Sequence, residues 1–123
     1  MPAGKHNVDA LEDRLSRSQQ IKLTVTGRTS GRSISIPVWF VFEDDTLYLV
    51  PVQGSETQWY QNVLKNPSIG IDAHGENAQL RGVSITDAKR VSSVVDKFRA
   101  KYGVGDVKKY YSKFDVAVSV QIS

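Results

Sequence analysis

The sequence predicts an α+β, mainly β fold in which six antiparallel strands roll into a small barrel with helices on its flanks. Its 123 residues suffice for one hydrophobic core and leave no room for a second. Six segments alternate apolar and polar residues, which is the period of a half-buried strand. Short turns join several of these segments, as antiparallel pairing allows. Residues 1–123 are therefore expected to form a single domain.

The first predicted element is a short amphipathic helix within residues 1–18, the N-terminal arm. Val8, Leu11 and Leu15 are spaced at i, i+3 and i+7, so they fall on one face of a helix. Asn7 is the expected N-cap. The apolar face of this helix is expected to cover one end of the sheet.

The six predicted strands follow from the apolar alternation. They span residues 21–26, 34–42, 46–52, 68–73, 77–86 and 114–122. The first three should form a meander, because only polar turns separate them. Pro37 cannot donate a ladder hydrogen bond, so we expect it at an edge, a bulge or a non-bonded position. Leu80 is out of phase with Val83 and Ile85, which predicts a β-bulge near Gly82.

Three further helices are predicted between the strands. Ser55 and Gln58 have the spacing of a capping box for a helix that Asn66-Pro67 ends. The packed side of that helix is expected to carry Trp59, Val63 and Leu64, with Trp59 in the core.

A 3.6-residue apolar stripe predicts the next helix, which Thr86 or Asp87 caps and Gly103-Val104-Gly105 ends. The stripe consists of Val91, Val94, Val95, Phe98 and Tyr102. A shorter helix is expected through residues 108–112.

Composition restricts the chemistry. The absence of Cys removes disulfides, thiolate nucleophiles and Cys-ligated metals, and His6 and His74 lie 68 positions apart. The sequence contains no Gly-x-Ser-x-Gly elbow. We therefore assign no metal ligand and no catalytic side chain, and expect any chemistry to come from a bound cofactor. No segment approaches the roughly 20 apolar residues of a membrane helix, and a cytoplasmic location is expected.

Positive charge is concentrated in residues 88–113, which contain eight cations and two anions, whereas the whole chain has a net charge of +3. This basic segment indicates an anionic partner, whether a phosphorylated cofactor, a nucleic acid or a lipid surface, or else a solvated helix face. Its aromatic residues would permit base stacking, but no nucleic-acid-binding motif accompanies them. A non-enzymatic nucleic-acid binder is accordingly the less favoured alternative.

Two segments are candidates for binding an anion. The turn formed by residues 27–32 offers the guanidinium groups of Arg28 and Arg32, two hydroxyls and glycine-permitted N–H geometry, although an ordinary β-turn has a similar composition. The helix start after Gly54 offers unpaired N–H groups, as every helix start does. Tyr102, Tyr110 and Tyr111 could supply hydroxyls over a ligand or could be structural.

Three stretches of the sequence resemble a known family. They are residues 26–32 (TGRTSGR) followed by Pro37, residues 47–50 (LYLV), and residues 59–67 (WYQNVLKNP). Over residues 21–111 the chain resembles the deazaflavin-dependent nitroreductases, small split β-barrel proteins that share the fold of the pyridoxamine-phosphate oxidase group. The resemblance implies a reduced coenzyme F420, an 8-hydroxy-5-deazaflavin, that transfers hydride to a quinone-like or nitroaromatic acceptor.

The resemblance also implies site residues. The phosphate or acidic tail of the cofactor would contact Arg28, Thr29, Ser30, Gly31 and Arg32, and Pro37 belongs to the same motif. The phosphate-proximal or ring-bearing part would approach Gln53, Gly54 and Ser55. Tyr110 or Tyr111 would border the acceptor pocket. Trp59 and Asn62 would brace the loop before their own helix and would not touch the acceptor.

Two further expectations depend on the resemblance. Flavin mononucleotide (FMN) is the alternative cofactor, because residues 52–57 form a shorter loop than in many relatives. Ile34 stands where many relatives carry a second cation, which implies less positive charge for the acidic tail. A homodimer with the cofactors at its two-fold seam is the expected assembly.

Overall fold

The computed structural model describes residues 3–122, with side chains from Ala10 onward. The side chain of Val8, predicted to lie on the apolar helix face, therefore falls outside the described residues. Within residues 3–122 there are seven strands, β1 to β7, and four α-helices, α1 to α4. The strands are Ile21–Thr26, Ser33–Val38, Val41–Glu43, Thr46–Leu49, Ser68–Ala73, Glu76–Ile85 and Ala117–Gln121. The helices are Ala3–Arg17, Gln58–Lys65, Ala88–Tyr102 and Val104–Tyr110.

All seven strands belong to one antiparallel sheet in the order β2-β1-β5-β6-β7-β4-β3. The two edge strands, β2 and β3, are consecutive in the chain, and only Trp39 and Phe40 separate them. Two residues cannot span the width of a flat seven-stranded sheet, because neighbouring strands lie about 4.8 Å apart. The sheet must therefore curl until its edges meet, which confirms the predicted barrel class.

The predicted strand over residues 34–42 is wrong in one respect, because it breaks into β2 and β3 at Trp39. As a result the predicted meander does not form: β2 pairs only with β1, and β3 pairs only with β4. The physical reason lies outside the strand, since the Phe40 N–H donates to the Tyr102 hydroxyl at 3.0 Å instead of to a neighbouring strand. Pro37 lies on the edge strand β2, as expected.

The bulge predicted near Gly82 is also absent. Arg81 pairs with Ser68 on β5 and Gly82 with Val120 on β7, so β6 changes partner without an extra residue. A Cβ on Gly82 would lie 3.1 Å from Val63 Cγ1, so glycine is what permits α2 to pack this closely over β6. The phase difference arises because Ile85 packs under α3, whereas Leu80 packs against the interior of the barrel.

Helix boundaries differ from the sequence prediction at three places. Helix α1 begins at Ala3, so Asn7 lies within it and is not its N-cap. Thr57 is the N-cap of α2, and the predicted capping box is absent because the Ser55 hydroxyl instead donates to Asp115. Helix α4 covers residues 104–110 and not 108–112. Asp87 caps α3 as predicted, accepting a hydrogen bond from the Arg90 N–H at 3.0 Å.

Two hydrophobic clusters stabilise the fold. The larger fills the barrel and includes side chains of β1, β4, β5 and β7 together with Leu11 and Leu15 of α1 and Trp59 of α2. The smaller lies between α3 and the outer face of the sheet, with Phe98 at its centre. Leu64 of α2, predicted to pack, is instead 51% exposed. Among residues 3–122 no helix is both long enough and apolar enough to cross a membrane.

Candidate functional site

A cavity of about 400 Å³ opens where the barrel edges meet. Its walls come from β2, from the chain that follows β4, from α2 and from the C-terminal end of α4. It is lined by Gln20, Ile36, Pro37, Val38, Trp39, Val50, Val52, Trp59, Tyr110 and Tyr111. Three residues predicted from the sequence, Pro37, Tyr110 and Tyr111, are therefore brought together here. We call this cavity the aromatic pocket.

Trp39 is the residue of the aromatic pocket that sequence reasoning missed. Its indole stacks on the Tyr102 ring at a centroid distance of 4.2 Å and an interplanar angle of 7°. Tyr110 meets it edge-on at 5.5 Å, and Tyr111 lies tilted at 6.0 Å. The available signal was that Trp39 shares a face of the predicted strand with Pro37, a residue of the family motif. The break between β2 and β3, which exposes the indole, was not evident from the sequence. The four rings thus form one aromatic cluster, and three of them, Trp39, Tyr110 and Tyr111, line the pocket.

The Tyr102 hydroxyl fixes the break between β2 and β3. It accepts a hydrogen bond from Phe40 N–H at 3.0 Å, and its oxygen lies within donating distance of the carbonyls of Gln19 (2.7 Å) and Phe40 (2.9 Å). Burial raises the pKa of Tyr102 to about 12, even though its hydrogen bond with Phe40 acts in the opposite direction. The hydroxyl therefore remains protonated at neutral pH, and Trp39 rests on a fixed partner.

Lys101 lies at the same break. Its ammonium donates to the Phe40 carbonyl at 2.8 Å and lies 3.6 Å from the Phe40 ring centroid. Desolvation lowers the pKa of Lys101 to about 8 from an ordinary 10.5. The charged form is therefore less favourable in the folded protein than in the unfolded chain.

A pH-dependent contribution to stability follows for Lys101. Between pH 8 and pH 10.5 the unfolded chain binds more protons at this amine than the folded protein, so stability rises with pH across this window. The comparison is between the wild type and Lys101→Met in urea denaturation from pH 7 to 10.5. The wild type should gain stability relative to the variant as pH rises. A difference that stays constant or shrinks would contradict the lowered pKa.

The tyrosines of the aromatic pocket differ in their surroundings. Burial, reinforced by the proximity of Tyr102, raises the pKa of Tyr111, so this phenol keeps its proton at all ordinary pH values. Tyr110 is 54% exposed and lies at the rim. The pocket therefore combines a buried, protonated phenol with an accessible one.

The cationic turn of residues 27–32 joins β1 to β2. Gly27 N–H donates to the Arg32 carbonyl at 2.8 Å, and Gly31 adopts a φ of 72°, which favours glycine. The Arg32 N–H donates to Ser30 Oγ at 3.2 Å. The Arg32 guanidinium forms no hydrogen bond or ion pair with any residue in the range 3–122 whose side chain is described. It therefore remains available to an anion.

Arg28 is held differently from Arg32. Its guanidinium donates to Asn62 Oδ1 and to Gln58 Oε1, both at 2.8 Å, and its N–H donates to Asn62 Oδ1 at 3.1 Å. Asn62 is buried on α2, and Trp59 of the same helix lines the aromatic pocket. Helix α2 therefore links the cationic turn to the pocket. Asn62 braces this turn, whereas the resemblance implied that it would brace the loop before α2.

The other predicted anion-binding segment, Gln53 to Ser55, contains a short 3₁₀ helix that covers Gly54–Glu56. Its Ser55 N–H and Oγ–H both donate to the Asp115 carboxylate, at 2.9 and 2.6 Å. The Gln53 N–H donates to Thr57 Oγ1 at 2.8 Å. The protein's own carboxylate thus occupies the donors of Ser55.

The basic segment 88–113 is partly neutralised within the fold. Lys97 pairs with Glu43 at 2.6 Å, and Arg99 pairs with Asp96 at 2.9 Å. Lys113 lies 3.4 Å from Glu56, and the Lys101 ammonium donates to a backbone carbonyl. Half of its eight cations therefore have partners within the chain, which reduces the field available to a nucleic acid.

A curled antiparallel barrel with an aromatic pocket, linked through α2 to a cationic turn, defines a small split-barrel protein of the kind that accommodates a planar, anionic ligand. The model of the F420H(2)-dependent quinone reductase family matches residues 4–122, and the chain belongs to this family. The protein is therefore an oxidoreductase whose cofactor is coenzyme F420 and whose reaction is hydride transfer to a quinone. The sequence-based predictions of family, fold class and cofactor are confirmed.

Solved structures agree with this fold. An F420-H2 dependent reductase, FDR-A, is 18% identical and aligns over 83% of this chain and 93% of its own, with a TM-score of 0.65. A structure from Listeria innocua that is assigned as a pyridoxamine 5'-phosphate oxidase is 14% identical. It aligns over 92% of this chain and 90% of its own, with a TM-score of 0.68. A structure described as a domain-swapped dimer is 15% identical and aligns over 91% of this chain and 97% of its own, with a TM-score of 0.67. Comparison with curated protein sequences finds no significant match.

Proposed function

We propose that the aromatic pocket is where this oxidoreductase brings the deazaflavin ring and its acceptor together. The observation that carries the proposal is Trp39, which lines a cavity of about 400 Å³ and whose indole stacks on the Tyr102 ring. Planar rings bind well against aromatic faces, and a mostly apolar lining excludes water from the reacting atoms. A nitroaromatic acceptor, which is also planar, suits the same pocket as a quinone.

The residues present fit the cofactor without an acid–base triad. When bound, reduced F420 supplies a hydride, so the protein has only to orient two rings and keep water away. Trp39 provides a fixed stacking surface because the Tyr102 ring stacks on its indole and the Tyr102 hydroxyl accepts a hydrogen bond from the next residue, Phe40. The accessible Tyr110 hydroxyl at the rim is the proposed hydrogen-bond donor to the acceptor oxygen. Tyr111 holds its proton and shapes the wall.

The cationic turn is proposed to hold the acidic tail of the cofactor. Among the residues whose side chains are described, the Arg32 guanidinium has no partner, and Thr29 and Ser30 provide hydroxyl groups beside it. The Gly31 N–H donates to the Gly27 carbonyl at 2.9 Å, so Gly31 contributes the shape of the turn. Arg28 keeps the turn against α2 and adds charge. Pro37 lies in the pocket wall, and Gln53, Gly54 and Ser55 follow Val52, another pocket residue, so we keep these four as proposed cofactor neighbours.

Titration with F420 tests the proposal, because the fluorescence of the deazaflavin should change when it enters an aromatic environment. FMN is titrated in parallel as the alternative cofactor. We expect saturable binding of F420 and quinone-dependent oxidation of its reduced form. Unchanged F420 fluorescence at tens of micromolar, together with binding of FMN, would contradict the proposal.

Arg32→Ala should weaken F420 binding by about 10- to 100-fold, because a charge-assisted hydrogen bond contributes about 1.5 to 3 kcal/mol. Its melting temperature should not change, since its guanidinium forms no contact among residues whose side chains are described. Arg28→Ala should weaken binding and also lower the melting temperature, because its contacts to Gln58 and Asn62 are lost.

The matched control for these variants is Arg90→Ala, which removes the same charge from the exposed face of α3. Fluorescence titration should give it the dissociation constant of the wild type. Equal weakening in Arg90→Ala and Arg32→Ala would show that net charge, and not the turn, governs binding.

A homodimer is the proposed assembly. The edge strand β2 is exposed over Ser33 to Ser35, and Ile34 is 40% exposed, so a second copy has an unpaired edge and an apolar side chain to cover. Light scattering on the purified protein measures the mass directly. We also propose a cytoplasmic location, which suits a chain without cysteine.

A further inference from the structure

The linker between α4 and β7 is fastened to the chain between β4 and α2 at three positions of the linker, Ser112, Lys113 and Asp115. The Ser112 N–H donates to the Val52 carbonyl at 2.8 Å. Gln53 and Lys113 form an isolated parallel β-bridge. Asp115 accepts from the Ser55 N–H at 2.9 Å and from the Ser55 hydroxyl at 2.6 Å. We call this set of contacts the latch.

The local backbone is suited to the carboxylate of Asp115. Gly54 has a φ of 56°, and a Cβ at that position would overlap Asp115 Oδ1. Partial burial would raise the pKa of Asp115, but the hydrogen bonds from Ser55 and the charge of Lys113 outweigh it, so this pKa lies below its usual value. Lys113 Nζ lies 3.7 Å from Asp115 and 3.4 Å from Glu56. The carboxylate is therefore charged and partnered at neutral pH.

The latch lies directly beside the aromatic pocket. Val52, which accepts from Ser112, lines the pocket on one side, and Tyr111, which precedes Ser112, lines it on the other. On the far side of Ser55, Gln61 of α2 donates to the Ser55 carbonyl, so the segment is also tied to the helix that carries Trp59. Loss of the latch would free two walls of the pocket to move relative to each other.

We propose that Asp115 is a positioning residue that sets the width of the aromatic pocket through its two hydrogen bonds from Ser55. It does not touch the reacting atoms. Its effect on F420 affinity rests on the function proposed for this pocket, whereas its effect on the pocket itself does not.

The first test uses the protein without cofactor. Trp39 and Trp59 are the only tryptophans of the chain, and both line the aromatic pocket, so tryptophan fluorescence reports on this site alone. Acrylamide quenching should increase in Asp115→Ala and, to a smaller extent, in Ser55→Ala, which keeps the hydrogen bond from the Ser55 N–H. The double variant should resemble Asp115→Ala. Ser55→Thr, which keeps the hydroxyl, should resemble the wild type.

The matched control is Asp13→Ala, which breaks an ion pair with Arg17 on α1 and touches no part of the pocket. All variants are compared well below their melting temperatures. Unchanged quenching in folded Asp115→Ala would overturn the proposal. If Asp115→Ala fails to fold, the test depends on Ser55→Ala, which is the milder change because it retains the hydrogen bond from the Ser55 N–H. Quenching equal to that of the wild type in Ser55→Ala would then overturn the proposal.

The second test is F420 titration of the same variants. Asp115→Ala and Ser55→Ala should bind about two- to tenfold more weakly than the wild type, the change expected from a lost hydrogen bond. Asp13→Ala should bind like the wild type. Failure of the wild type to bind F420 would contradict the proposed function. The quenching result alone would then decide whether the latch sets the width of the pocket. Equal binding by wild type and Asp115→Ala would overturn the positioning role alone.

Discussion

Replacing Trp59 with alanine is expected to lower the free energy of unfolding by about 3 to 5 kcal/mol, the range for large aromatic side chains removed from a core. The side chain is only 7% exposed, belongs to the cluster that fills the barrel, and meets the Tyr60 ring edge-on at 6.5 Å. Its removal leaves a void between α2 and the sheet. Urea denaturation followed by circular dichroism measures the loss.

Leu64→Ala is the control for this prediction, because Leu64 is on the same helix but is 51% exposed. We expect it to change stability by less than about 0.5 kcal/mol, as is usual for surface positions. Similar losses in the two variants would mean that helix propensity, and not burial of the indole, determines the effect.

Tyr102→Ala should be at least as destabilising as Trp59→Ala. Loss of its packing on Trp39 and Phe98 is expected to contribute about 3 kcal/mol, the lower end for an aromatic residue that is only partly buried. The Phe40 N–H also loses its acceptor, which adds about 1 to 3 kcal/mol if no water replaces the hydroxyl. Binding of F420 should weaken as well, since Trp39 loses its stacking partner.

Tyr102→Phe separates these two contributions. It keeps the ring and removes only the hydroxyl that bonds to Phe40 and Gln19. We expect a loss confined to about 1 to 3 kcal/mol, with the near-ultraviolet circular dichroism of Trp39 retained. Wild-type stability in Tyr102→Phe would show that the hydroxyl does not fix the strand break.

The parts of the fold that depend on short-range pattern were predictable. Strands β1 and β5 have the predicted bounds, and Asp87 caps α3, because alternation and capping are local properties of the sequence. The break at Trp39 was not predictable in this way. It depends on a hydroxyl 62 residues further along the chain, and the residues around Trp39 continue to alternate as a strand would.

The candidate site was likewise predictable only where the signal lies in neighbouring residues. The turn of residues 27–32 could be read from its glycines and cations, and Tyr110 and Tyr111 do line the aromatic pocket. The sequence did not reveal that Arg28 is held by α2 or that Asp115 occupies the donors of Ser55, because these partners are 34 and 60 residues apart. Pairings of this kind depend on the closed barrel and have no local signal.

The position of β7 has a consequence for how the molecule is made. This strand lies between β6 and β4, although it is the last of the seven along the chain. Until residues 117–121 leave the ribosome, the hairpin of β3 and β4 has no sheet to join, and the hydrophobic lining of the half-formed barrel faces water. Closure must then wait for residues 117–121, and until they are available the exposed apolar surface makes the nascent chain prone to self-association.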